Sequence, residues 1–224
     1  MKQIEIQDLT MRYTISNQEI AAVDNATLAV EKGDFLSIVG HSGSGKTTLL
    51  SIIGGIIRQS SGRVLYQGAD ISALNDDGMS NYRNSQIGFM FQFASLLPML
   101  TVKENLLLPT VFVPERKGSE AGKAEELLGM VGLLDKIDAY PEQLSGGQQR
   151  RVASARAFMN DPAVILADEP TGDLDEETEH LMIEFFREMN RSAGITFIMV
   201  THNTDLAKEA PRQFRMHRGS IQEL

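Results

Sequence analysis

The chain has 224 residues, 42% of them hydrophobic and 23% charged, an ordinary globular composition with room for one sizeable domain carrying an inserted subdomain. Its formal charge of −9 argues against a general nucleic-acid binder, and no nucleic acid is expected as a partner. Cysteine is absent, which excludes disulfides and cysteine metal sites, and no apolar run approaches the about eighteen residues that span a bilayer.

The first stretch, KQIEIQDL (2–9), alternates apolar and polar residues and does not read as a signal peptide. A cytosolic chain is expected, reaching any membrane through a partner. ATLAVEKGD (26–34) has the same alternation, and both read as strands of an antiparallel sheet with one wet face. FLSIVG (35–40) is a short apolar run that ends in a glycine loop. The helix after it, KTTLLSIIGGII, is expected to put Leu49, Ile52, Ile53, Ile56 and Ile57 on one face. AVILA (163–167) and TFIMV (196–200) are two further strands of the fully buried kind. Strands alternating with helices predict a parallel sheet covered on both faces. From about Phe93 to Asn160 the texture is helix-rich, with a loop broken by Pro114, Gly118 and Gly122. The expectation is an α/β fold. It has a core with a mostly parallel sheet, an N-terminal antiparallel β-subdomain and an inserted α-helical subdomain. Residues 1–92 and 161–224 form the core with its β-subdomain, and about 93–160 form the insert.

GHSGSGKT matches G-x-x-x-x-G-K-[ST] with Gly40, Gly45, Lys46 and Thr47 in the fixed places. Glycines let backbone N–H groups turn inward around phosphate oxygens, so His41, Ser42, Gly43 and Ser44 form the cradle and Thr48 continues it. Lys46 brings a point charge to the outer phosphates, and the Thr47 hydroxyl suits Mg²⁺. The match follows a predicted strand and opens a predicted helix, whose positive end faces the anion, so the core of this α/β fold is expected to be that of a P-loop NTPase.

In AVILADEP a buried strand ends in two carboxylates. Ligands bind beyond the carboxyl ends of parallel strands. Asp168 is therefore placed to hold Mg²⁺, and Glu169, one residue on, to orient and deprotonate a water. His202 ends the next apolar strand; it is either structural or a γ-phosphate contact. Gln92 closes IGFMFQ; its amide oxygen either ligates Mg²⁺ or caps a turn.

YPEQLSGGQQRR holds a second anion-ready place. Ser145 and Gln148 have the spacing of a capping box, and helical periodicity continues to Asn160. A capped helix explains Ser145 and Gln148, but not Gly146 and Gly147, both poor helix formers.

LSGGQ resembles the signature of the ATP-binding-cassette (ABC) ATPases, and the other motifs follow in that family's order over nearly the whole chain. Gln92 corresponds to the Q-loop, VILADEP to the Walker B strand, Asp173–Asp175 to the D-loop and His202 to the switch histidine. Tyr13 stands where the family places its adenine-stacking aromatic; a half-buried strand tyrosine is the other reading. The resemblance implies an ATPase using ATP and Mg²⁺. It implies a homodimer in the ATP state, packed head to tail, with each ATP between the phosphate loop of one copy and the signature helix of the other. It also implies an integral-membrane permease partner and a place on the cytoplasmic face of the inner membrane. GFMFQFASLLPMLTVKENLLLP and LADEPTGDLD resemble the stand-alone ATPases of the lipoprotein-release and macrolide-export group, which transmit motion across a membrane. A signalling module that gates a membrane complex is the alternative, with the same site residues. The apolar stretch 96–102 either packs in the core or helps form the permease groove. Asp173 departs from the pattern by adding charge near the dimer seam. Arg150 and Ser154 stand at commonly variable places, where nothing catalytic is expected.

Overall fold

Strands β1 (Lys2–Ile15) and β2 (Gln18–Glu31) pair antiparallel, with Ile4 opposite Val30 and Ile6 opposite Leu28. These four residues are buried while Glu5 and Gln7 between them stay partly exposed, so one face is wet as expected. β3 is Phe35–Val39 and α1 is Lys46–Ile53. β4 (Ser61–Tyr66) pairs on the other edge of β1, and β5 (Ala69–Asp70) completes the four-stranded antiparallel sheet. The computed structural model describes residues 1–15, 18–113, 118–172 and 174–224; Pro114 and Asp173 lie outside the described residues.

Downstream come α2 (Asp76–Gln86), β6 (Ile87–Met90), α3 (Val102–Leu107), α4 (Glu120–Met130), α5 (Gly146–Arg156) and β7 (Val164–Asp168). The chain closes with α6 (Glu176–Ala193), β8 (Thr196–Thr201), α7 (Thr204–Ala207), β9 (Arg212–His217) and β10 (Ser220–Glu223). The second sheet has the order β10-β9-β3-β8-β7-β6, and only the β9–β10 pair is antiparallel.

Alternation along these central strands builds two cores. Ile165, Ala167, Phe197 and Met199 face one side and pack with Val102, Leu106, Leu127, Val152, Phe185 and Phe186 from the helices. Val164, Leu166, Ile198 and Val200 face the other, against Leu49, Leu50, Ile52 and Ile53 of α1 and against Ile4, Ile6 and Val30 of the antiparallel sheet. Each fully buried aliphatic side chain contributes about 1.5–3 kcal/mol, which is why a strand buried on both sides reads as an unbroken apolar run.

Two sequence expectations need correction. The helix after Ser145 was expected to continue to Asn160, but α5 ends at Arg156, where turns replace it. The helix after the phosphate loop was expected to reach Ile57, but α1 ends at Ile53, and Ile56 is exposed. Gly54 caps it and Gly55 takes φ +65, because paired glycines favour helix termination over continuation. The β9–β10 hairpin was not anticipated. Its turn, Arg218 at φ +47 and Gly219 at φ +84, lacks the Asn-Gly or Asp-Gly signal that marks such turns in a sequence.

Candidate active site

The phosphate loop begins where β3 ends. Val39 lies opposite Thr201, and the Gly40 N–H donates to the Thr201 carbonyl at 3.3 Å. A Cβ on Gly40 would run into the Met216 carbonyl, and one on Gly45, at φ +106, into the Ala22 carbonyl. Glycine at both places is demanded by close approach of the chain to itself. The unanticipated hairpin braces the loop, for the Gly219 N–H donates to the Ser44 carbonyl at 3.0 Å.

His41 through Thr48 line a cavity of about 600 Å³, together with Ala22, Gln92, Asp168, Glu169 and His202. At its floor α1 opens on Gly45 with no side-chain cap, so its first N–H groups and the positive helix end face the cavity. The Ser44 hydroxyl is buried and has no hydrogen-bond partner among the described residues. An orphaned buried donor in a loop of this shape fits a ligand oxygen. Lys46 is nearly buried, and its Nζ donates to the Gly40 carbonyl at 2.7 Å and the His41 carbonyl at 3.2 Å. Burial lowers its pKa, opposed by the charges of Glu169 and Asp168. A cation held by two carbonyls beside two carboxylates gains from an incoming polyphosphate.

Asp168 ends β7 and is buried. Desolvation raises its pKa, a hydrogen bond with the Thr47 side chain pulls it back, and Glu169 adds a smaller upward push. Thr47, Gln92 and Asp168 thus bring hard oxygen donors to one cavity. That set fits Mg²⁺, which completes its shell with phosphate oxygens and water.

Glu169 is held on every side. The register of β7 on β8 sets Asp168 opposite Val200, so Glu169 and His202 leave their strands side by side. The Glu169 carboxylate accepts from the Thr201 hydroxyl and from the His202 N–H, each at 2.8 Å, and lies 2.8 Å from His202 Nδ1. Its backbone takes φ +48, a left-handed conformation that costs a residue with a Cβ about 1–2 kcal/mol. The Glu169 N–H donates to the Val200 carbonyl at 2.9 Å, and its own carbonyl accepts from the Gly172 N–H at 3.1 Å.

The second anion-ready place lies apart from this cavity. Ser145 caps α5: its hydroxyl accepts from the Gln148 N–H at 3.2 Å, and its N–H donates to Gln148 Oε1 at 2.9 Å. Neither Gly146 nor Gly147 has a positive φ. A Cβ on Gly146 would meet nothing within 4 Å among the described residues, and one on Gly147 only a Leu174 methyl at 3.5 Å. Ser145, Gly146, Gly147 and Gln148 do not line the phosphate-loop cavity, and neither does Tyr13. Tyr13 sits on β1 opposite Ile20, partly exposed, two residues short of the β2 position whose Ala22 does reach the cavity.

Residues 23–172 match the family model of the ABC transporter. The chain belongs to the ABC transporter family. Among ABC proteins it is 40% identical to the lipoprotein-releasing system ATP-binding protein LolD of Geobacter metallireducens, over 97% of each chain. It is 40% identical to the macrolide export ATP-binding/permease protein MacB of Syntrophobacter fumaroxidans, over 99% of this chain but 31% of that longer one. The dimeric ATP-binding cassette MJ0796, solved in a post-hydrolysis state bound to ADP and Pi, superposes with a TM-score of 0.93. Identity is 37%, over 99% of this chain and 97% of that one. As an ABC transporter subunit the chain is an ATPase, turning ATP and water into ADP and phosphate.

Sequence reasoning missed two members of the site. Ala22 carries no chemical signal and enters through its backbone. Thr201 fell just past the buried strand read over 196–200 and was given no role, although its place just before His202, beyond an apolar run, was the available signal.

Proposed function

We propose that this chain powers a separate membrane permease through ATP-driven head-to-tail dimerisation. Each ATP is held between the Lys46 loop of one copy and Ser145–Gln148 of the other. The observation that carries this is the open ground before Gly146: its own chain needs glycine there neither for backbone conformation nor for packing. An approaching body from outside the chain accounts for it, and the free N–H groups of α5 suit a phosphate. The dimeric state of MJ0796 supports the same arrangement.

In this reading the N–H groups from His41 to Thr48 bind the phosphates, and the Ser44 hydroxyl finds its missing partner on a phosphate oxygen. Lys46 exchanges the Gly40 and His41 carbonyls for the outer phosphates. Tyr13 stacks on the adenine. Thr47, Gln92 and Asp168 would hold Mg²⁺, which would supply positive charge against the charge developing on the phosphates. Glu169 orients the attacking water and takes its proton on the carboxylate as the water oxygen bonds to the γ-phosphorus and the bond to ADP breaks. His202 holds that carboxylate and faces the γ-phosphate.

The permease docks on the apolar surface after Gln92, which belongs to the helical part of the domain at about 93–160; residues 1–92 and 161–224 form the catalytic core with its β-subdomain. Leu96 packs on the core and Val102 is buried, but Phe93, Leu97 and Met99 are exposed. The surface is held rather than loose. Asn105, fully buried, donates to the carbonyls of Leu97, Leu100 and Thr101 and accepts from the Leu97 N–H. Arg156 donates to the carbonyls of Ala94 and Ser95 at 3.0 and 3.1 Å. Among the described residues no helix is long and apolar enough to cross a membrane. On this reading the chain sits peripherally on the cytoplasmic face of the inner membrane, through its permease. The names of the LolD and MacB relatives favour a lipoprotein-release or macrolide-export type of mechanotransmission.

Glu169→Gln tests the dimer. With ATP and Mg²⁺ it should elute as a dimer in size-exclusion chromatography with light scattering, and as a monomer with ADP. A monomer at saturating ATP overturns the reading.

A further inference from the structure

Arg150 stands at a place where the sequence promised nothing catalytic, yet its contacts lead to the hydrolytic carboxylate. It lies four residues into α5, about 6 Å along the axis from the first helical residue, Gly146. Its neighbours face the helical part of the chain: the Gln149 amide donates to the Pro141 carbonyl at 2.8 Å and Arg151 to the Val131 carbonyl at 2.9 Å. Arg150 turns the other way and donates from Nη1 to the Glu169 carbonyl at 3.4 Å. The same nitrogen lies so close to Gly172 that a Cβ there would come within 3.2 Å of it. Arg150, Gln92, Glu169 and His202 also line a second cavity of about 280 Å³, and the last three face the phosphate-loop cavity as well.

We propose that Arg150 is a positioning residue that ties the signature helix to the Glu169 backbone of its own chain. A nucleotide received at Ser145–Gln148 is thereby felt at the catalytic carboxylate of the receiving copy. The physical case rests on the Glu169 conformation. A left-handed residue with a Cβ persists only where its surroundings over-determine it, and its carbonyl is held from two sides, by the Gly172 N–H and by Arg150. The bond at 3.4 Å is long, so a small displacement of α5 makes or breaks it. A helix is a rigid lever, and a contact at its N-terminus moves a side chain one turn away. Each of the two composite sites would then report its occupancy to the other. The inference rests on the head-to-tail reading above.

The test compares Arg150→Lys, Arg150→Met and Arg150→Ala in the full chain by steady-state ATP hydrolysis, nucleotide affinity and thermal melting. Methionine keeps the packing of the stem and loses the donor; lysine keeps a donor. The expected result is a kcat lowered about tenfold in the Met and Ala variants, the size of effect a misplaced reacting group produces. KM, nucleotide affinity and Tm should stay as in the parent, and the Lys variant should recover most of the rate. Parent-like kcat in Arg150→Met overturns the proposal, because packing alone then suffices. A loss of rate that tracks a fall in Tm or a rise in KM overturns it too. Glu169→Gln is run beside them. If that variant hydrolyses ATP at the parental rate, the assigned role of Glu169 fails. If it is inactive and Arg150→Met is not impaired, only the Arg150 inference fails.

Discussion

The Glu169 carboxylate and the His202 imidazole meet at 2.8 Å, and the same carboxylate oxygen takes the His202 backbone N–H at 2.8 Å. The side-chain contact is exposed on the histidine side, where such a pair is worth less than about 1 kcal/mol of stability. Its value is to orientation. His202→Ala should melt within a degree or two of the parent and hydrolyse ATP about 10–100-fold more slowly, the loss that follows when a general base is left free to turn. Steady-state hydrolysis beside a thermal melt checks both halves.

Asp168→Asn should separate stability from metal binding. Burial raises the Asp168 pKa above its ordinary value of 3.8. Between that value and the raised one, the folded chain holds a proton the unfolded chain has lost. Stability contributed by this group therefore falls as pH rises through the window, and the cost persists at neutral pH. Asparagine removes the cost, so the nucleotide-free chain should be more stable than the parent at pH 7. The extra thermal stability that Mg²⁺ with ATP gives the parent should be lost. Melting curves with and without Mg²⁺ decide it.

Much of this was legible in the sequence, for identifiable reasons. The phosphate loop, Asp168 and Glu169, and His202 each follow an apolar run buried on both faces, and such runs announce themselves. The N-terminal sheet showed in its alternation, and Ser145 with Gln148 formed the expected capping box. What could not be read is set by register and close approach. Glu169 and His202 are 33 residues apart in sequence, and only the pairing of Asp168 with Val200 brings them together. The left-handed backbone of Glu169 leaves no mark in composition. The extent of α1 was over-read because the apolar face continues past Gly54 and Gly55, where the backbone does not. Arg150 was passed over because it stands at a commonly variable place of the family pattern.

Gly146→Asp should stabilise one copy while disabling two. A carboxylate in the first turn of α5 suits the helix dipole, and nothing described lies within 4 Å of the new Cβ, so stability should hold or rise, by about 0.3–1 kcal/mol at most. The same charge repels a triphosphate brought by a partner. ATP-dependent dimerisation and hydrolysis should both fall to background, while nucleotide binding to the single chain stays parental. Light scattering, hydrolysis and fluorescent-nucleotide titration measure the three quantities.

The most direct measurement mixes two dead variants. Lys46→Ala lacks a working phosphate loop and Gly146→Asp lacks a working signature helix. If each site draws on two copies, the mixed pair rebuilds one site, with the loop from the Gly146→Asp chain and the helix from the Lys46→Ala chain. ATP hydrolysis should then appear on mixing and peak near equal amounts, although neither variant alone is active. A mixture that stays as inactive as its components would contradict a shared site.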